Sequence, residues 1–127
     1  MKMYQNIGEF TPDSLIASGE TAILKEGIGL KAGQGVLKRG TLICKGNDKA
    51  GYLAGKPIDG VEMKVYGILT DDTDTGTENT SDNIPVTCYL TGVFNRSGVV
   101  VAESATIDTF ETDMRNAGMF LRTVQEY

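Results

Sequence analysis

The sequence predicts a mainly β domain, small, irregular and glycine-rich, with one short C-terminal helix: α+β only in that limited sense. Three observations predict it. Sixteen of the 127 residues are glycine, well above the usual ~7 %, which implies many tight turns and short strands. Apolar and polar residues alternate in two stretches, Val61–Leu69 and Ile84–Phe94, as a half-buried strand requires. A helical period occurs only once, near the C-terminus.

In chain order, residues 1–19 fit neither period. Tyr4, Ile7, Phe10, Leu15 and Ile16 are interrupted by Gly8, Pro12, Asp13 and Gly19, which predicts a flexible N-terminal arm outside the core and places the domain at residues 20–127. From Glu20 to Gly46, short apolar pieces alternate with Gly27, Gly29, Gly33, Gly35, Gly40 and Gly46, a spacing that suits turns needing positive φ. Val61, Met63 and Val65 then alternate with Glu62 and Lys64, and Gly67 is a candidate bulge. Asp71 to Asn83 has no aliphatic residue and predicts an exposed loop. Ile84, Val86, Cys88, Leu90 and Phe94 form one face of a long strand, with Thr87, Tyr89, Thr91 and Val93 on the other. Pro85 falls near its start, where a missing N–H does least harm. Asn95-Arg96-Ser97-Gly98 reads as a turn into Val99-Val100-Val101. Asp108 and Glu111 have the spacing of a capping box. Phe110, Met114 and Ala117 give the helix its apolar face, Gly118 stops it, and Met119-Phe120-Leu121 is a final strand.

Composition narrows the function. At 127 residues the chain fits one domain, large enough to bury roughly two-thirds of its unfolded surface. Its net charge of −5, with basic residues scattered, argues against nucleic acid, whose phosphates need a cluster of Lys and Arg. No run approaches the ~18 apolar residues of a membrane span, and the first 14 residues lack the apolar core of a secretory leader. Cys44 and Cys88 read as reduced core residues. A disulfide between them requires Cα atoms within about 7 Å.

No motif carries catalysis, and no cofactor is expected. There is no histidine, which removes the commonest general base and zinc ligand. Gly27-Ile28-Gly29 with Gly33 is one residue too long for a dinucleotide fingerprint. Gly35 and Gly40 have P-loop spacing, but Thr41 stands where the lysine belongs. Gly55-Lys56 is followed by Pro57 rather than Ser or Thr. An EF-hand register from Asp72 would need an oxygen ligand at Gly76, a glycine at Thr77 and a glutamate at Asn83, and meets none of these. Asn79-Thr80-Ser81 and Asn95-Arg96-Ser97 match the glycosylation tripeptide, without a leader to give the match weight.

Five segments, in order, resemble the head decoration proteins of lambda-like phages. They are Thr11 to Gly19; Lys31 to Leu42 with its Lys38-Arg39-Gly40-Thr41; Gly67 to Asp74; Val86 to Asn95, ending Leu90-Thr91-Gly92-Val93-Phe94-Asn95; and the closing helix with Gly118-Met119-Phe120-Leu121-Arg122. The acidic loop and residues 45–59 match no pattern of that family. The resemblance implies a β-clip-like fold and homotrimers on the outside of an expanded tailed-phage head. There the protein would clamp the major capsid protein against DNA pressure, without enzyme activity, after synthesis in the host bacterial cytoplasm. On that reading Tyr4, Ile7, Phe10, Leu15 and Ile16 are candidates for capsid contact by strand addition. Gly40, Thr41, Gly92, Phe94, Asn95 and Gly118 are structural, and Tyr89, Val93 and Phe120 are candidates for the trimer interface. The alternative is a carbohydrate- or receptor-binding β module, which normally needs exposed aromatics; this chain has no Trp, four Phe and five Tyr.

Overall fold

The computed structural model describes residues 15–18, 23–58, 60–78 and 83–123. The fold is mainly β with one short helix. Its strands are β1 (Ile16–Ser18), β2 (Lys25–Lys31), β3 (Val36–Leu37), β4 (Leu42–Gly46), β5 (Gly51–Leu53), β6 (Met63–Leu69), β7 (Thr73–Asp74), β8 (Asn83–Tyr89), β9 (Gly92–Asn95) and β10 (Met119–Arg122), and its helix is α1 (Glu111–Ala117).

Five strands close a barrel in the order β2-β5-β4-β6-β8. The longest pairing is antiparallel, β2 on β8, from Lys25 opposite Tyr89 to Lys31 opposite Asn83. The circle is completed by one parallel pair, Leu30 with Gly51. Gly51 is required there, since an added Cβ would come within 2.8 Å of the Leu30 side chain. On β6, Leu42 faces Ile68 and Ile43 faces Gly67, but Cys44 faces Val65. Tyr66 is therefore the extra residue of a bulge beside Gly67, the position the glycine marks in the sequence.

Strand alternation divides the apolar residues between two cores. Leu30, Leu37, Ile43, Leu69 and Cys88 form the barrel interior. Their neighbours Leu42, Ile68 and Tyr89 point the other way, joining Leu15, Phe94, Val99, Met114 and Met119 in a second core. That second core lies between the barrel and an outer layer made of α1 and a three-stranded sheet, β10-β9-β1. Within this sheet β9 runs parallel to β10 and antiparallel to β1.

Several expectations change here. The single strand expected from Ile84 to Phe94 is two strands, broken at Leu90-Thr91, because β8 belongs to the barrel and β9 to the outer sheet. Leu15 is 2 % exposed, and Ile16 pairs with Phe94. These two residues therefore belong to the domain rather than to an arm, so the core begins before Glu20; Tyr4, Ile7 and Phe10 lie outside the described residues. Asp108 and Glu111 do not form a capping box: Asp108 sits in a 3-10 turn, residues 107–110, and both carboxylates receive hydrogen bonds from the Arg96 guanidinium at 2.7 Å. Of the expected helix face, Met114 is buried and Ala117 is exposed. The loop after Asp71 is partly ordered by pairing of β7 with β3, with Thr75 buried beneath it. Val99–Val101 contributes one bridge, Val100 to Thr41, rather than a strand. Gly27 and Gly29 lie within β2 and not in turns.

Candidate functional site

The residues singled out by the family resemblance come from distant parts of the chain and converge on β9 and the segment beside it. At Gly40 the backbone has φ +97°, and an added Cβ would lie 2.3 Å from the carbonyl oxygen of Gly98. That close approach lets Val100 N–H donate to Gly40 O at 2.9 Å while Leu42 N–H donates to Val100 O at 2.8 Å. Thr41 is 1 % exposed, and its hydroxyl donates to Lys38 O at 2.6 Å. The turn before β4 is thereby tied to the segment that follows β9.

Phe94 is fully buried, its ring 5.8 Å from that of Tyr89 and tilted by 44°, an arrangement favoured by ring quadrupoles. The Asn95 side chain accepts from Ser97 N–H at 3.3 Å and from the Ser97 hydroxyl at 3.1 Å, and its own N–H donates to Leu15 O at 2.7 Å. Asn95 is thus buried in a turn. Gly118 adopts φ +103° at the end of α1 and accepts from Gly92 N–H at 3.1 Å. Gly40, Thr41 and Phe94 therefore tie barrel strands to the segments around β9, while Gly92, Asn95 and Gly118 hold the outer layer itself together.

The trimer candidates fare differently. Tyr89 and Val93 are each 7 % exposed; Tyr89 faces the second core, and neither is a free surface residue. Arg39 donates to the Tyr89 hydroxyl at 2.9 Å and to Thr70 O at 2.9 Å. Phe120 remains half-buried, with the Arg115 guanidinium 5.6 Å from its ring centre.

The two cysteines are free and buried, one in each core. Burial, aided by the charge of Asp113, pushes the Cys44 thiol up to about 11, and burial alone pushes Cys88 to about 12. Both stay protonated at neutral pH and are poor nucleophiles. Among the described residues, no group of three or more Cys, Asp or Glu is placed to hold a metal ion. In the acidic stretch, Asp72 accepts from Arg39 N–H at 2.7 Å and Asp74 from Gly76 N–H at 2.9 Å, both at the surface.

Sequence patterns do not reveal Gln34, which stands alone between Gly33 and Gly35. Its amide nitrogen donates to Lys31 O and Gly51 O, and its oxygen accepts from Leu53 N–H. Its own N–H donates to the Thr75 hydroxyl at 2.8 Å. One residue thereby ties β2 and β5 through its side chain and the acidic ribbon through its backbone. Arg96 is equally silent in the sequence, since its two partners lie 12 and 15 residues away.

Besides a cleft of about 240 Å³ flanked by Leu69, Asp71 and Pro85, three open concavities lie among the described residues. One of about 450 Å³ is flanked by Lys45, Glu62, Met63 and Tyr66. A second of about 370 Å³ shares Met63, Lys64 and Val65 and reaches Asp113. The third, about 170 Å³, is lined by Lys31, Gln34, Tyr52, Lys56 and Ile58. None brings together a nucleophile, a base and an oxyanion donor, the minimum for covalent catalysis. No protein-family model and no curated protein matches this chain.

Proposed function

We propose that the protein is a capsid decoration (cement) protein, with no enzyme activity and no cofactor, that binds as trimers to the outside of an expanded tailed-phage head. It stabilises the shell against internal DNA pressure by clamping neighbouring copies of the major capsid protein. The observation that carries the reading is the order of the five resembling segments, which runs through nearly the whole chain. Support also comes from where they lie: Gly40-Thr41 forms a seam with Gly98–Val100, and Gly92–Asn95 pairs with Met119–Arg122 in the outer sheet. A part that resists outward pressure benefits from such interlocking more than from a mobile cleft. The acidic surface suits a site that never meets DNA. Three copies at a three-fold position would turn one modest contact into a strong attachment.

The capsid-binding arm is narrowed to residues 1–14, with Tyr4, Ile7 and Phe10 as its apolar contacts, since Leu15 and Ile16 are engaged in the domain. Deleting residues 2–14 should abolish shell binding and leave the fold intact; unchanged binding rules the arm out. The carbohydrate-binding alternative finds no support among the described aromatics, none of which is exposed.

The deciding experiment is co-sedimentation of the protein with undecorated shells of its source phage, before and after expansion. Saturable binding to expanded shells alone, near one chain per capsid subunit, is the expected result. No binding to either form overturns the proposal.

A further inference from the structure

A lysine-rimmed pocket at one end of the barrel lies beside an acidic ribbon, with Asp48, hydrogen-bonded to the lining Tyr52, close enough to Lys31 to feel its charge. Lys31 and Lys56 rim the 170 Å³ pocket, with Ile58 as its apolar wall. Lys56 makes no ion pair among the described residues. Next to the pocket, Gly33 N–H donates to Thr75 O and Gly35 N–H to Gly76 O, both at 2.9 Å, and Val36 pairs with Asp74. These bonds fix the ribbon that carries Asp71, Asp72, Asp74 and Glu78, all exposed, against the segment leading into the pocket. Two of the four large apolar side chains exposed on the described surface lie here as well: Val36 is 58 % exposed and Ile58 40 %.

We propose that this end of the barrel is a self-association surface, in which the lysine-rimmed pocket of one copy receives the acidic ribbon of the next. Charge complementarity selects a second copy as the occupant. Each chain presents both halves of the contact, and the halves are adjacent, so a rotation about a nearby axis brings one onto the other and lets the contact close on itself. Val36 and Ile58 supply the apolar centre, and the charges set register and suppress wrong pairings. The inference does not depend on a shell being the partner.

Lys56 and Glu78 make the cleanest test, because both are exposed and neither side chain makes a hydrogen bond among the described residues. Sedimentation of the full chain should show association at low salt that weakens at 1 M salt, where the screening length falls to about 3 Å. Lys56→Glu and Glu78→Lys should each weaken it by roughly tenfold or more by placing like charges together. The double variant K56E/E78K, which exchanges the signs, should recover association in a uniform population. A wild-type protein that stays monomeric at high concentration overturns the proposal. So does association that both single variants leave unchanged, or a double variant no better than either single one. A salt-sensitive dimer rescued by the sign exchange upholds this contact and counts instead against the three-fold assembly proposed above.

Discussion

Replacing Gly40 by alanine tests the seam directly, because Gly35 provides an internal control. Both glycines have positive φ, +97° and +75°, but a Cβ at Gly35 meets nothing within 4 Å, whereas one at Gly40 lies 2.3 Å from Gly98 O. Alanine in the left-handed region costs about 1–2 kcal/mol, offset by about 0.4–1 kcal/mol through reduced freedom of the unfolded chain. Gly35→Ala should therefore lose no more than about 1.5 kcal/mol. At Gly40 the backbone must also retreat by about 1 Å to restore ordinary van der Waals distance. Gly98 cannot yield freely, because Val100 N–H is bonded to Gly40 O and Gly40 N–H to Leu69 O. Losing those two bonds in a buried setting adds about 1–3 kcal/mol each. Gly40→Ala is thus expected to lose about 3–6 kcal/mol, a large part of the stability of an ordinary domain. Urea denaturation with linear extrapolation measures both variants, provided the m-values agree. Equal losses at the two positions would refute the claim that close approach, rather than backbone angle alone, makes Gly40 necessary.

Other outcomes follow from the same geometry. Met114 is the one fully buried residue of α1, so Met114→Ala should cost about 2–5 kcal/mol in urea denaturation, while Ala117→Ser on the exposed side should change little. With their thiols pushed up to about 11 and about 12, Cys44 and Cys88 should not react with a thiol-specific disulfide reagent at pH 8 until denaturant is added, when both should react at once. The Asp48 carboxyl is held below its ordinary value chiefly by the hydrogen bond from the Tyr52 hydroxyl. Its contribution is therefore present at neutral pH and lost as pH falls through the lowered value. Asp48→Asn should flatten the acid limb of a stability profile below about pH 4. Arg96→Gln removes two ion pairs and should lower the melting temperature at low salt by an amount that shrinks in 1 M salt.

The fold class, the bulge at Gly67 and the helix stop at Gly118 were legible because each has a local cause: alternation, a missing Cβ, or a left-handed cap. The two cores were not. A period-2 pattern assumes one wet face, whereas Leu42-Ile43, Ile68-Leu69 and Cys88-Tyr89 are adjacent pairs with both members buried. That is why Tyr89 looked available for a partner when it fills the space between layers. Leu15 escaped for a related reason. Its pairing partners lie about 80 residues away, so nothing in its own neighbourhood distinguishes a strand from a tail. Asp108 and Glu111 had the spacing of a cap, but Arg96 competes for both carboxylates, and a guanidinium offers stronger bonds than a backbone N–H. Gln34 and the pocket beside it depend wholly on tertiary proximity.

The outer sheet also decides how the molecule meets a pull or a passenger. Because β1 runs antiparallel and β10 parallel to the strand between them, the chain enters the sheet at Leu15 and leaves it at Arg122 on the same side, level with Asn95. Tension applied across those two points acts at right angles to the strands. It opens their hydrogen bonds one after another, like a zipper, and spares the barrel behind. A passenger tethered at Leu15 and one tethered at Arg122 would therefore start from the same end of the outer sheet.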